Sequence, residues 1–83
     1  MYEIKALPSA SRDLEALEKA AFDRIKTRIL GLRQEPRPIG IIKLTAEEGY
    51  RLRAGDYRIL YRIDDKAKIV YLYRIKHRRE AYR

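Results

Sequence analysis

The stretch Tyr50–Arg83, YRLRAGDYRILYRIDDKAKIVYLYRIKHRREAYR, decides how this chain folds. Arginine and tyrosine alternate with aliphatic residues through two tight turns. Tyr50–Arg53 reads as a strand, and Ala54-Gly55-Asp56 as a hairpin connection in which Gly55 can take the positive φ such turns need. Tyr57–Ile63, rich in β-branched and aromatic residues, is the next strand. Asp64-Asp65-Lys66 turns the chain and Ile69–Ile75 returns. Tyr57, Ile59, Tyr61 and Ile63 share one face; Arg58, Leu60 and Arg62 share the other. The same alternation sets Tyr50 and Leu52 against Arg51 and Arg53. One face suits a core. The other is studded with arginines, and helices covering one side of the sheet leave it free to receive a ligand.

The N-terminal half supplies the cover. Tyr2–Leu7 alternates as a short half-buried strand. Pro8 stops it, and Ser9 or Ser11 can cap the helix that follows. Ala10, Leu14 and Leu17 recur at helical spacing over about three turns. A second helix is expected over Ala20–Gln34, with Phe22, Ile25, Ile29 and Leu32 in a stripe that Leu30 widens; Pro36 and Pro38 end it. Arg37–Ala46 is a connector with a short strand around Ile41–Leu44, and Glu47-Glu48-Gly49 is a polar turn. The expected fold is α+β in one domain, 1–83. An N-terminal strand and a two-helix hairpin precede a curved antiparallel β-sheet, which the first strand joins.

Eighty-three residues bury only a thin core, so partners matter. There is no cysteine to staple it. No apolar run approaches the ~20 residues of a membrane span and no signal pattern opens the chain, so the expected location is the cytoplasm, with no membrane contact. The net charge of +8 is uneven: residues 1–42 balance at +2 and residues 43–83 at +6. Such a field attracts polyanions by releasing their counterions.

Arginine matches phosphate oxygens with paired hydrogen bonds. Arg51 and Arg53 lie two apart on one face, and Arg58 sits just across the hairpin, so the three can form a phosphate cradle; spacing as solubilising surface charge is the plain alternative. The cluster Lys76, His77, Arg78, Arg79, Glu80, Tyr82, Arg83 adds proton carriers. Nearby cations favour ionisation of the Tyr82 phenol, and its ring could stack on a base. His77 suits proton transfer near neutral pH, although a lone histidine in a basic tail is more often a surface residue. Of Arg78 and Arg79, one is expected to face the site. These parts suit RNA cleavage by the 2′-hydroxyl on the adjacent phosphate. Fixed arginines would stabilise the phosphorane; Tyr82, or else His77 or Lys76, would move protons. No carboxylate cluster suggests a metal, and no cofactor is expected. Asp64-Asp65 reads as turn chemistry.

YRLRAGDYRILYRIDD followed by RIKHRREAYR resembles the RelE/ParE superfamily of toxins from type II toxin–antitoxin pairs, most closely the RelE branch. The resemblance is carried by R-x-R, then G-D-Y-R-I-L-Y, then H-R-R-E-x-Y-R. It implies a metal-independent endoribonuclease that enters the ribosomal A site and cleaves mRNA there. It also implies a RelB-like antitoxin bound in a hetero-oligomer. On matching positions the implied site is Arg51, Arg53, Arg58, Arg78 and Tyr82. The basic pair is lysine in some members and arginine here, so a lysine base at those positions is not available. The glutamate that some relatives place before the sheet has no counterpart in Ile41-Ile42-Lys43-Leu44. A ParE-like inhibitor of DNA gyrase and a non-catalytic RNA-binding module are the alternatives.

Overall fold

The computed structural model describes residues 1–45 and 48–79. Along the chain run β1 (Glu3–Ala6), α1 (Pro8–Glu15), α2 (Lys19–Gly31), β2 (Ile42–Lys43), β3 (Tyr50–Ala54), β4 (Tyr57–Asp64) and β5 (Ile69–His77). The five strands form one sheet in the order β1-β5-β4-β3-β2. This is the α+β arrangement expected. Strands β2 to β5 pair antiparallel, while β1 joins parallel to β5 with Ile4 beside Val70.

β1 ends just before Pro8, which also opens α1. The proline occupies the first helical turn, where its missing N–H would have no partner anyway. The cap residue is Leu7, and no side chain caps the end, so neither Ser9 nor Ser11 has that role. In α2, Ile25 and Ile29 are buried, and so is Leu32 just past its end. Phe22 is only half-buried and Leu30 is 47% exposed, so the apolar stripe is narrower than its periodicity suggests. These helix residues and Ala10 pack on Leu52, Ala54, Ile59, Tyr61, Val70, Leu72 and Ile75, which share one face of the sheet.

Two devices set which side chains reach the other face. Gly55 and Asp56 alone connect β3 to β4, with Ala54 opposite Tyr57. Gly55 has φ +61° and Asp56 is not among the positive-φ residues, which gives the II′ turn favoured in hairpins. In β5 the register with β4 steps from Leu60–Arg74 to Tyr61–Leu72, leaving Tyr73 as the extra residue of a bulge. Beyond it Ile75 stands with Ile59 in the core, while Arg74 and Lys76 stand with Leu60 and Arg58. The exposed backbone of β5 past the end of β1 is covered by α1: Asp13 Oδ2 accepts from the Ile75 N–H and from Arg74 Nε, both at 2.8 Å.

The connector after α2 is tied down. The buried Tyr61 hydroxyl donates to the Pro36 carbonyl at 2.8 Å, and burial pushes that phenol above its ordinary pKa. The Arg37 guanidinium grips Asp65 through two hydrogen bonds of 3.1 and 2.8 Å, and its Nε donates to the Tyr50 hydroxyl at 3.1 Å. The Tyr2 hydroxyl donates to the same carboxylate at 2.7 Å. Asp65 is therefore more than a turn residue. The hydrogen bonds from Arg37 and then Tyr2 lower its pKa to about 2. Asp64 is the turn residue, accepting from the Ala67 N–H at 3.0 Å. No helix among the described residues is long and apolar enough to cross a membrane.

Candidate functional site

The face turned away from the helices carries the cations. Arg53 lies directly opposite Arg58, and Arg58 directly opposite Lys76, so one row of positive charge crosses β3, β4 and β5. Arg51 stands in the neighbouring row, opposite Leu60. The structure thus brings together Arg51, Arg53, Arg58 and Lys76. Among the described residues, the only carboxylate within 4.0 Å of a cation on this face is Asp13, which serves Arg74.

Arg58 departs from the sequence expectation of a free arginine surface. It is only 3% exposed, the one buried charged residue among those described. Its Nη1 is buried with no hydrogen-bond partner among the described residues. Leaving a buried donor unmatched costs about 1–3 kcal/mol, and more when it is charged. Natural proteins retain such groups where something else supplies the acceptor. Arg53 and Lys76 flank it on either strand, so an anion that reaches Arg58 meets all three.

His77 lies on the opposite face, in register with Tyr57 and edge-on to its ring at 5.1 Å. Its Nδ1 accepts the Arg79 N–H at 3.1 Å, so the neutral ring carries its proton on Nε2. The Arg78 N–H donates to the Asp56 carbonyl at 2.5 Å, pinning the end of β5 to the β3–β4 hairpin. Asp56, His77, Arg78 and Arg79 line an open cleft of about 620 Å³ there. Both arginines are exposed. Tyr82 lies outside the described residues, as do Glu47, Glu80 and Arg83. No group of three or more His, Cys, Asp or Glu side chains among the described residues is placed to hold a metal ion.

A rim of the same face is formed where the chain enters β3. Gly49 has φ +125°, and a Cβ there would run into the Tyr61 carbonyl oxygen. The Tyr73 hydroxyl donates to the Glu48 carbonyl at 3.3 Å, so the bulge residue spans from β5 to the loop before β3. Sequence reasoning missed two pairs. Arg37–Asp65 joins residues far apart in the chain, and only the doubled aspartate hinted at it. Arg62 stacks over the Tyr71 ring, 4.2 Å from its centroid; the signal was Arg62 on the face of Arg58, but the partner depends on the register across the bulge.

This fold, a sheet backed by a helix pair, has known counterparts. The family model for the ParE toxin of type II toxin–antitoxin systems, parDE, matches residues 4–82. The chain belongs to this family, within the RelE/ParE superfamily, and is the toxin of a type II toxin–antitoxin system. Toxin RelG of Mycobacterium tuberculosis is 32% identical over 99% of this chain and 97% of its own length. The RelBE2 toxin–antitoxin complex of the same organism contains a chain with 31% identity and a TM-score of 0.83, covering 93% of this chain and 98% of that one. The archaeal RelE–RelB complex from Pyrococcus horikoshii gives 29% identity and a TM-score of 0.79, over 93% and 94% of the two chains.

Proposed function

We propose that this toxin is a metal-independent endoribonuclease that cleaves mRNA in the ribosomal A site and so stops translation. Residues 1–83 act as one catalytic domain in the cytoplasm, held in check by a RelB-like antitoxin. The observation that carries the reading is the row Arg53–Arg58–Lys76, without carboxylate partners among the described residues and with the Arg58 Nη1 buried and unmatched. A phosphodiester supplies the missing acceptor.

In this reaction the 2′-oxygen attacks phosphorus, the bond from phosphorus to the 5′-oxygen breaks, and a 2′,3′-cyclic phosphate and a 5′-hydroxyl end result. Arg51, Arg53 and Arg58 stabilise the charge that builds on the phosphorane, as preorganised cations on a rigid sheet. Tyr82 takes the 2′-hydroxyl proton, and Arg78 holds the substrate. Lys76 shares the row of Arg58 and gives a proton to the leaving 5′-oxygen; His77 and Arg79, at the cleft around the hairpin, contact flanking RNA. Because the ribosome orients the substrate, free RNA is cut slowly.

The test is to induce the chain in cells and map mRNA 5′ ends beside Arg53→Gln, Tyr82→Phe and Lys76→Met variants. Cuts within translated frames, weakened at least tenfold in the first two variants, are the expected result. The family model carries the ParE name, which makes gyrase the competing target. No cuts, with DNA supercoiling inhibited, would overturn the nuclease in favour of it; ribosome binding without cuts would leave a non-catalytic RNA-binding module.

A further inference from the structure

The cationic face extends beyond the row centred on Arg58. Arg62 of β4 stands opposite Tyr71 of β5, and Tyr71 opposite Lys5 of β1, so a second row crosses three strands. The Arg62 guanidinium carbon lies over the Tyr71 ring, 4.2 Å from its centroid. Neither Arg62 nor Lys5 has a carboxylate within 4.0 Å among the described residues. Between these two rows lie the row Arg51–Leu60–Arg74 and the bulge residue Tyr73. Four residues of strand separate Arg58 from Arg62, about 13 Å. One pleat further, Asp64 and Glu3 both stand in register with Ile69 and replace cations by carboxylates. The track that suits a polyanion therefore ends at the second row.

A guanidinium stacked on a tyrosine presents a planar, cationic surface. Unpaired bases stack on arginine planes and aromatic rings, and this contact tolerates any base because every base has a π face. A lysine beside it meets the neighbouring phosphate as a point charge. We infer that Lys5, Tyr71 and Arg62 form a second nucleotide subsite, in which a base of single-stranded RNA next to the cleaved step stacks on the Arg62–Tyr71 platform. The inference rests on the endoribonuclease reading of the first row. The subsite lengthens the grip on RNA by a short run of nucleotides and leaves the bond-breaking groups unchanged.

Oligonucleotides of two lengths separate the subsites. Fluorescein-labelled 2′-O-methyl dinucleotides and hexanucleotides, which lack the attacking hydroxyl, are titrated into the full chain and followed by anisotropy. The wild type is expected to bind the hexanucleotide at least tenfold more tightly than the dinucleotide. Arg62→Gln and Tyr71→Ala should remove about tenfold of hexanucleotide affinity and leave the dinucleotide unchanged, while Tyr71→Phe, which keeps the ring and the fold, behaves as wild type. Arg53→Gln should weaken both lengths. If Arg62→Gln binds both lengths as wild type does while Arg53→Gln weakens both, the second subsite is wrong and the first row stands. If Arg62→Gln weakens both lengths equally, Arg62 adds only general charge and the subsite is again wrong. If no oligonucleotide binds and Arg53→Gln changes nothing, both readings fall together.

Discussion

Arg58 is held at the expense of stability. Its guanidinium is taken out of water, one of its nitrogens has no acceptor among the described residues, and its register partners are two further cations. Each of these effects opposes folding, and none is offset by a carboxylate among the described residues. Replacing a buried, unmatched charge with an apolar chain of similar length removes the penalty. Arg58→Met is therefore expected to leave the free protein as stable as wild type or more so, by about 1–3 kcal/mol, while abolishing toxicity in growing cells. Urea unfolding beside a growth assay checks both halves. A destabilised Arg58→Met protein would show that the guanidinium has an acceptor and is structural.

At the level of elements, the connector after α2 is fastened by one turn carboxylate. Asp65 binds Arg37 and Tyr2, and its pKa of about 2 lies below the ordinary 3.8. A carboxyl depressed by folding contributes stability that is fully present above its unfolded value, and this contribution fades as the pH falls through the folded one. Thermal melts of wild type and Asp65→Asn should differ at pH 6, and the difference should shrink between about pH 4 and pH 2. An equal gap at both ends would assign the effect to packing. The same pair marks where sequence reading stopped. The hairpin turns, both helices and the strand order after them follow from local rules: Gly55 needs a positive φ, Pro36 ends a helix, and alternation separates Ile59 from Arg58. Arg37–Asp65, Arg62–Tyr71 and the parallel seat of β1 on β5 depend on which strands become neighbours, and alternation within one strand does not encode that. Burial of Arg58 was hidden for the same reason, since an arginine between two tyrosine-rich strands looks like surface until its neighbours are placed.

For the molecule as a whole, the helices occupy one face of the sheet and rows of cations the other. Binding of single-stranded RNA should therefore weaken steeply with salt. Each substitution that removes a cation from a phosphate should reduce the slope of log affinity against log salt by about 0.7. Arg53→Gln and Lys5→Gln combined should flatten that slope by the sum of their separate effects, measured by titration at several salt concentrations; an unchanged slope would mean that neither touches a phosphate. Tyr73 governs how this two-sided arrangement is spelled. Upstream of it, Val70 and Leu72 are the inward residues; downstream, Ile75 is inward although it is an odd number of positions from Leu72. The bulge acts as a frameshift in the two-residue code of the strand. Deleting Tyr73 would leave a regular strand with the same facing, Ile75 inward and Lys76 outward; straightening the bulge with Tyr73 retained would exchange every later position, turning Lys76 toward the helices and His77 toward the basic face. A single-residue insertion or deletion elsewhere in β5 would likewise rewrite the ligand face, whereas a two-residue change preserves the spelling and only slides it along.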